Sequence, residues 1–377
     1  MNSRRVVWGA VALVCVVSMT TTACASSASQ TGSTERPTSA TRPGAFVYAV
    51  GIFDLIMRSS DGGATWSQVH CDSPRTALGA LWSVRFADPR LGWTVGMYSI
   101  LATKDRGLHW SSRYTGSVTL HLSDIACSGA RQVWVVGHRY RPHSESSGDP
   151  SGTEAVILST MNSGATWRVQ TLPQLAWLRG VAFADPRHGW AVGEDRTQRY
   201  GVIVVTSDGG RHWRSQQRFE WTDFTAVTCT DAAHVWAVGG PTEYPASTLR
   251  PTPPMVVATS DGGVRWHTQL LADAKTSGDM NAVDFIDARH GWVVGSKTVF
   301  ATSDGGVTWR ARPPDAGPAT SKSTYYSVSF ADAQHGWIVV NHRQLLTTSD
   351  GGRKWQLALC LPIGRSVTSV AAFGPRN

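Results

Sequence analysis

An eight-residue signature recurs seven times in this 377-residue chain and constrains its fold more than any other feature. Each copy reads Ser/Thr-x-Asp/Asn-x-Gly-x-x-Trp, so the acidic or amide residue precedes the tryptophan by five positions. The seven tryptophans lie 43 to 57 residues apart, and they are Trp66, Trp110, Trp167, Trp213, Trp266, Trp309 and Trp355. A fixed period in this range is typical of arrays of one repeated supersecondary unit. All seven copies are therefore expected to form one closed domain.

One full repeat predicts four short strands. In the second repeat, residues 81–86, 92–96 and 99–103 form strands A, B and C, and strand D begins at Trp110. The signature itself occupies the turn between strands C and D. Charged residues make up only 16% of the chain and glycine is abundant, which suits many short strands joined by tight turns. The repeat therefore predicts a four-stranded antiparallel blade.

The two ends of the repeat array complement each other. The first repeat, residues 46–70, has strands B, C and D but no strand A, whereas residues 366–373 form a strand A with no B to follow. Pairing these ends would cover edges that are otherwise exposed. We therefore predict an all-β, seven-bladed β-propeller of four-stranded antiparallel blades over residues 46–377, closed by the C-terminal strand.

The acidic and amide residues of the signature suit a structural role. A carboxylate or amide oxygen there can accept backbone N–H bonds across a tight turn, and the glycine supplies a positive φ. We interpret as structural Asp61, Asp105, Asn162, Asp208, Asp261, Asp304 and Asp350. A metal or ligand site at these turns is the alternative. The histidines of the A–B turns, His188, His290 and His335, lack metal-ligand spacing, so neither a metal nor a cofactor is expected.

The N-terminus precedes the repeats and has the pattern of an export segment. Arg4 and Arg5 are followed by an apolar stretch, residues 6–17, that is too short to span a bilayer. Residues 21–24, Thr-Thr-Ala-Cys, resemble a bacterial lipobox, which implies a lipoprotein signal peptide over residues 1–23 and lipidation at Cys24. An ordinary signal peptide is the alternative. Residues 24–45 are rich in Ser, Thr and Pro and predict a flexible tether. The expected location is the outer face of the cytoplasmic membrane, or outside the cell.

Charge and cysteine usage narrow the function further. The net charge of +8 falls to +6 without Arg4 and Arg5, and the basic residues are not clustered, so nucleic acid is not an expected partner. We expect a monomer. Cys127 and Cys229 replace a phenylalanine of other repeats and predict small, free core residues. Cys71 and Cys360 fall in the first and last repeats, which a closed ring makes neighbours, and whether they are bonded is left open.

Two resemblances follow from these motifs. The signature resembles the Asp-box, or BNR repeat, of bacterial sialidases and of several seven-bladed propellers. The wider pattern, Asp-x-x-His-Gly-Trp-x-Val-Gly followed by Thr-Ser-Asp-Gly-Gly-x-x-Trp, resembles the photosystem II assembly-factor family over residues 46–373. This second resemblance implies a scaffold that holds a partner polypeptide during complex assembly. We therefore expect a membrane-anchored, extracytoplasmic scaffold that binds a protein or a glycan.

Length variation among the repeats points to one working face. In a four-stranded meander, the A–B and C–D turns lie at one end of each blade and the B–C and D–A loops lie at the other. The long B–C insertions, residues 138–155, 194–201 and 240–255, belong to three consecutive blades. With the neighbouring D–A loops they supply residue types that dominate binding hot spots. The candidate residues are Arg139, Tyr140, Trp177, Arg179, Arg196, Arg199, Tyr200, Trp221, Tyr244 and Arg250. Alternatively, Trp177 and Trp221 pack under disordered loops.

The second functional class is an exo-acting glycoside hydrolase of the sialidase type, or a glycan-binding module. Sialidases carry the same box, but no Phe-Arg-Ile-Pro-like segment precedes the first box here. Carboxylates that could still converge on the working face are Glu145, Asp149, Glu194, Glu220 and Glu243. A deep acidic pocket with two carboxylates about 5–9.5 Å apart would favour the enzyme. A shallow aromatic and basic surface would favour the scaffold.

Overall fold

The computed structural model describes residues 44–69, 79–140, 152–241, 253–271, 279–314 and 323–373. These residues form seven antiparallel sheets of four strands each, and no α-helix occurs among them. The prediction of an all-β, seven-bladed propeller is therefore confirmed.

In blades 2 to 7, four consecutive strands of the chain form one blade, from the innermost strand A to the outermost strand D. Blade 1 contains β1 (Phe46–Gly51), β2 (Leu55–Ser59) and β3 (Ser67–Val69); blade 2 contains β4 (Leu81–Phe86), β5 (Gly92–Gly96), β6 (Ser99–Thr103) and β7 (Ser111–Thr115); blade 3 contains β8 (Leu120–Ser128), β9 (Gln132–Tyr140), β10 (Thr153–Thr160) and β11 (Arg168–Leu172). Blade 4 contains β12 (Leu175–Phe183), β13 (Gly189–Asp195), β14 (Tyr200–Thr206) and β15 (Arg214–Glu220); blade 5 contains β16 (Thr222–Cys229), β17 (Val235–Pro241), β18 (Met255–Thr259) and β19 (His267–Leu271). Blade 6 contains β20 (Met280–Phe285), β21 (Gly291–Gly295), β22 (Thr298–Thr302) and β23 (Arg310–Ala311); blade 7 contains β24 (Tyr325–Phe330), β25 (Gly336–Val340), β26 (Gln344–Thr348) and β27 (Gln356–Cys360); the last strand is β28 (Val367–Phe373).

The C-terminal strand closes the ring as predicted. β28 pairs antiparallel with β1, with Phe46 opposite Phe373 and Tyr48 opposite Ala371, and it forms the inner strand of blade 1. Val367 and Val370 of β28 are buried against blade 7, where they pack in one hydrophobic cluster with Trp337. The first blade is thus built from both ends of the described chain.

Stacked aromatic rings join neighbouring blades. The strand-B tryptophan of one blade lies parallel to a strand-A phenylalanine of the next; for Trp134 and Phe183 the ring centroids are 3.5 Å apart. The same stack recurs in the pairs Trp236 and Phe285, Trp292 and Phe330, and Tyr48 and Phe86. The Trp134 indole also donates a 2.9 Å hydrogen bond to the Gly209 carbonyl in the next signature turn. The hydrophobic core therefore lies between the blades.

The Gly-Trp dipeptide of strand B is explained by the phenylalanine of strand A. Phe183 lies opposite Gly189, and a Cβ on that glycine would lie 2.4 Å from the Phe183 ring. In blade 3, Cys127 replaces the phenylalanine and Val133 replaces the glycine opposite it. Blade 5 repeats this exchange with Cys229 and Val235. Both cysteines are free, and burial raises their thiol pKa values to about 11 and about 12 respectively. Their predicted role as small, free core residues is confirmed.

A belt of strand-A side chains bridges all seven junctions between blades. The bridges run from Ser83 to Asp124, Asp124 to the Val181 N–H, Arg179 to Asp223, Thr225 to the Met280 carbonyl, Asn281 to the Tyr325 carbonyl, Ser327 to the Val370 N–H, and Thr368 to the Leu81 carbonyl. These strands surround a central channel of ≈ 130 Å³. Polar groups facing the channel are thus hydrogen-bonded to the neighbouring blade.

The signature turns are structural in all seven blades. In the first, Asp61 accepts hydrogen bonds from the Thr65 N–H at 2.9 Å and the Ser59 hydroxyl at 2.7 Å, and the Ser59 oxygen accepts the Gly63 N–H. Asn162 accepts the Thr166 N–H at 2.9 Å in the same way. These are the hydrogen bonds that the structural interpretation requires. Cys360 is disulfide-bonded, and Cys71, the partner considered from the sequence, lies outside the described residues.

Candidate binding face

The predicted working face contains the B–C and D–A loops, and we call it the B–C face. The structure describes eight of the ten candidate residues there; Tyr244 and Arg250 lie outside the described residues. Trp177 and Arg179, expected in a D–A loop, instead lie within strand β12. This strand is nine residues long and has register shifts between Leu175 and Trp177 and between Leu178 and Gly180. The bulges let it continue to the channel mouth as a strand.

The first group of candidates surrounds the β13–β14 hairpin of blade 4. The Arg199 guanidinium lies over the rings of Trp221 and Tyr200, 5.1 and 5.5 Å from their centroids, and it is ion-paired with Glu220. Arg218 lies over the opposite side of the hairpin, 4.5 Å from the Tyr200 ring centroid. Trp221 has a φ of 57°, which is strained for a bulky residue. Such strain occurs preferentially at functional sites.

Asp195 explains why the hairpin of the first group is ordered. Its Oδ1 accepts hydrogen bonds from the Thr197 N–H and hydroxyl and from the Arg199 N–H, and its carboxylate is ion-paired with Arg218. The predicted insertion at residues 194–201 is therefore a tight hairpin held from inside by one buried carboxylate.

The second group lies between blades 3 and 4. The Trp177 ring is packed edge-on against His138, at 6.0 Å, and Arg179 lies 5.1 Å from the Trp177 centroid. Arg179 is ion-paired through two nitrogens with Asp223, at 2.8 and 3.0 Å. His138 is stacked on His121 and touches Tyr140. Burial lowers the pKa of His138 to about 3, so its imidazole is neutral at physiological pH.

Glu194 is the buried carboxyl of this second group. It lies opposite Trp177 and only 3% of its surface is exposed. Burial raises the pKa of Glu194 to about 8, with a further rise from the nearby charge of Asp223, while Arg179 acts against it. At neutral pH the side chain is mostly protonated. A neutral carboxyl can donate a hydrogen bond as well as accept one.

The remaining candidates also contact neighbouring groups. Arg139 is ion-paired with Glu154, which is buried, and Arg196 donates a 2.9 Å hydrogen bond to the Thr153 carbonyl of blade 3. Four arginines of this face, Arg139, Arg179, Arg199 and Arg218, are thus each ion-paired with a carboxylate. A basic surface was the feature that would favour the scaffold, and at these four positions each positive charge is balanced by a neighbouring acid. The face is aromatic, with charges arranged in pairs.

Comparison with known proteins supports the fold. A family model described as "Photosynthesis system II assembly factor YCF48" matches residues 259–359. No curated protein sequence matches the chain. Among solved structures, "YCF48 from Cyanidioschyzon merolae" is similar at a TM-score of 0.53 and 20% identity, covering 78% of this chain and 88% of that one.

Two further structures are similar. "YCF48 bound to D1 peptide" has a TM-score of 0.50 and 17% identity over 74% of this chain and 82% of that one. The structure "RRP9 WD40 repeats" has a TM-score of 0.54 and 13% identity over 78% and 84%. Identities this low show the propeller fold alone. The resemblance to the assembly-factor family seen in the sequence is matched by the family model over the last three signatures and by the fold.

Sequence reasoning missed His121, His138 and Arg218. His121 and Arg218 lie within strands β8 and β15, where no insertion marks them, and His138 begins the insertion at residues 138–155 but was not singled out. The sequence signal that could have identified these residues is a basic or aromatic side chain at an expected strand position close to a long B–C loop.

The chemistry available at this face is that of contact and recognition. Of the acids considered for an enzyme, Glu220 is ion-paired and half exposed, Glu194 is buried and largely neutral, and Glu145, Asp149 and Glu243 lie outside the described residues. In the part of the chain that the structure describes, no three His, Cys, Asp or Glu side chains are placed to hold a metal ion. Nor does that part contain a helix long and apolar enough to cross a membrane.

Proposed function

We propose that this protein is a protein-binding scaffold whose B–C face, over blades 3 and 4, holds a segment of a partner polypeptide. The observation that carries the proposal is the Arg199 group, in which one guanidinium lies over Trp221 and Tyr200 and is held by Glu220. Fixed tryptophan, tyrosine and arginine side chains provide large contact area with little ordering cost, and they dominate binding hot spots. The similarity to assembly-factor propellers supports the same class of function.

A position-dependent cross-link tests this proposal. A photoreactive phenylalanine analogue replaces Thr197, which is exposed in the same hairpin as Arg199 on the B–C face, and in a control chain it replaces Arg289, which lies in an A–B turn on the opposite face. We expect irradiation of intact cells to give a discrete cross-linked protein with the first chain only. The same product from both positions, or a product from the Arg289 position alone, would place binding elsewhere.

Alanine substitutions measure the contribution of this group once the cross-linked partner is purified. Trp221→Ala and Arg199→Ala are expected to weaken partner binding by roughly 2 kcal/mol or more each, as hot-spot truncations do. Arg90→Ala and Arg289→Ala are the matched controls on the opposite face. Calorimetry on all four variants, with melting temperatures alongside, separates lost contact from lost stability. Unchanged affinity in the first pair would contradict the proposal.

We also propose that the scaffold is anchored outside the cytoplasmic membrane by a lipid on Cys24. The basic start, the short apolar stretch and the lipobox-like residues 21–24 support this location. Cys24→Ala should abolish incorporation of a fatty-acid analogue in metabolic labelling and block the cleavage that depends on it. Equal labelling of the variant and the natural chain would exclude lipidation at this residue.

A further inference from the structure

A second surface feature lies on the opposite face, where the A–B and C–D turns of blades 3 and 4 meet. These turns enclose a groove of ≈ 490 Å³. Three arginines line it: Arg168 at the start of β11, Arg187 in the A–B turn of blade 4, and Arg211 in the signature turn of blade 4. All three are exposed.

The charges of these arginines are not balanced as those of the B–C face are. Among the described residues, no carboxylate forms an ion pair with Arg168, Arg187 or Arg211. Asp208 also lines the groove, but its Oδ1 accepts hydrogen bonds from the Thr206 hydroxyl and the His212 N–H, and its Oδ2 contacts the His212 ring. Hydrogen bonds from His212 hold the pKa of Asp208 well below its usual range. Its charge is thus committed to the turn.

The repeat provides an internal control for this groove. Three positions recur at every junction between blades. One blade contributes the residue after its signature tryptophan. The next blade contributes the residue after its signature glycines and the A–B turn residue whose carbonyl accepts an N–H of that same blade's signature turn. The carbonyls of Arg90, Arg131, Arg187, Ala233, Arg289 and Gln334 accept this bond in blades 2 to 7. Only the junction of blades 3 and 4 has arginine at all three positions; the others have two at most. The framework is shared, so the convergence is not required by the fold.

Backbone contacts hold the groove in shape. Gln170 donates a 3.0 Å hydrogen bond to the Arg211 carbonyl, and Arg168 lies beside the same carbonyl, with its Nη2 at 3.5 Å. The guanidinium of blade 3 therefore lies next to the signature turn of blade 4. Side-chain oxygens of Asn162 and Thr166 line the far wall, where they are bonded within their own turn. Three guanidinium groups therefore line one cavity, and among the described residues the single carboxylate that also lines it, that of Asp208, is hydrogen-bonded within its own turn.

We propose that this groove binds a phosphoryl group. Guanidinium groups present paired N–H donors that match the oxygens of phosphate, and three of them can neutralise a dianion. The phosphoryl group can belong to a soluble ligand or to an anionic lipid head group. The lipid source is compatible with the topology, because the described chain begins on this face: the Ala45 carbonyl accepts the Gly62 N–H of the first signature turn. A tether leaving from Gly44 therefore starts on the same side as the groove.

The first test uses inorganic phosphate and the full-length chain at constant ionic strength. We expect saturable binding by calorimetry, with a dissociation constant raised at least about tenfold in the triple variant Arg168→Gln, Arg187→Gln, Arg211→Gln. The matched control is Arg90→Gln, Arg214→Gln, Arg353→Gln, which removes the same three charges at equivalent positions of three other junctions. Phosphate binding by the control should equal that of the natural chain. Absence of saturable binding, an equal loss in both triple variants, or binding of acetate as tightly as phosphate would overturn the proposal.

The second test separates the two sources. Vesicles of phosphatidylglycerol and phosphatidylcholine, and vesicles of phosphatidylcholine alone, are sedimented with the Cys24→Ala chain, which removes any lipid attached at that residue. Binding to the phosphatidylglycerol vesicles that is lost in the groove variant and kept in the control identifies a lipid head group. Saturable binding of glycerol 1-phosphate without vesicle binding identifies a soluble ligand. Either result supports a phosphoryl site in the groove. Absence of binding to both the vesicles and glycerol 1-phosphate would overturn the proposal.

Discussion

The pair Cys127 and Val133 shows how single positions adjust inside a repeated framework. In blades 2, 4, 6 and 7, strand A has phenylalanine at this position and the strand-B residue opposite is glycine, since the ring occupies the space of a Cβ. Where strand A has cysteine, the residue opposite is valine. The two residues therefore vary together to keep the junction filled, as close packing of protein interiors requires.

This packing predicts a rescue experiment. Cys127→Phe alone should lower the free energy of unfolding by about 1–3 kcal/mol, because the new ring would overlap Val133. Adding Val133→Gly recreates the pair found at Phe183 and Gly189 and should recover most of that loss. Urea unfolding of the natural chain, both single variants and the double variant forms a complete cycle. Additive losses in the double variant would show that the two residues do not share this space.

Glu194 predicts a pH dependence of stability. Its pKa is raised from 4.5 to about 8 in the folded protein, so the folded state holds a proton that the unfolded state releases between these values. The contribution of Glu194 is therefore most favourable below pH 4.5 and is lost as pH rises towards 8, by roughly 1.4 kcal/mol per pH unit. Glu194→Gln removes this dependence while keeping a neutral, hydrogen-bonding side chain. Urea unfolding at pH 5, 6.5 and 8 should show the variant gaining on the natural chain, and a constant difference would contradict the shift.

At the scale of single elements, the signature turn predicts a graded mutational series. Asp61→Ala removes the acceptor of the Thr65 N–H, the Thr65 hydroxyl and the Ser59 hydroxyl, and should cost about 1–2 kcal/mol. Asp61→Asn should cost less, since Asn162 accepts the equivalent N–H in blade 3. Thermal unfolding of both variants gives the order. An alanine variant as stable as the asparagine variant would mean that the carbonyl oxygen is dispensable.

The elements also show what a sequence can reveal of such a site. The strands, the signature turns and the missing strand A were predictable, because repetition gave seven aligned views of one unit. The pairing of Arg179 with Asp223 and of Arg218 with Asp195 was not, because each depends on side chains that differ between repeats. Trp177 was placed in a loop because strand A of the repeat average begins later, whereas β12 extends further towards its N-terminal end through its bulges. The position of the B–C face was therefore predictable from the sequence, whereas the ion pairs that balance its charges were not.

At the scale of the whole molecule, the ring depends on its last strand. Truncation after Arg365 removes β28, which is the inner strand of blade 1 and supplies the Thr368 and Val370 links of the inter-blade belt. We expect the truncated chain to melt at a lower temperature and over a broader range than the full chain, because blades 1, 2 and 7 lose shared contacts. Calorimetry and protease sensitivity measure this. A truncated chain that melted as high and as sharply would refute closure by β28.

Because β28 pairs with β1, blade 1 can be completed only after β28 has been synthesised. The Thr368 hydroxyl of β28 donates a hydrogen bond to the Val50 carbonyl of β1 across 318 positions. At about 5–20 residues per second, translation leaves blade 1 open for tens of seconds. An incomplete product, however well its middle blades fold, carries an unpaired strand edge that proteases and chaperones can recognise. A product that stops before β28 thus keeps this open edge, and a product that includes β28 covers it.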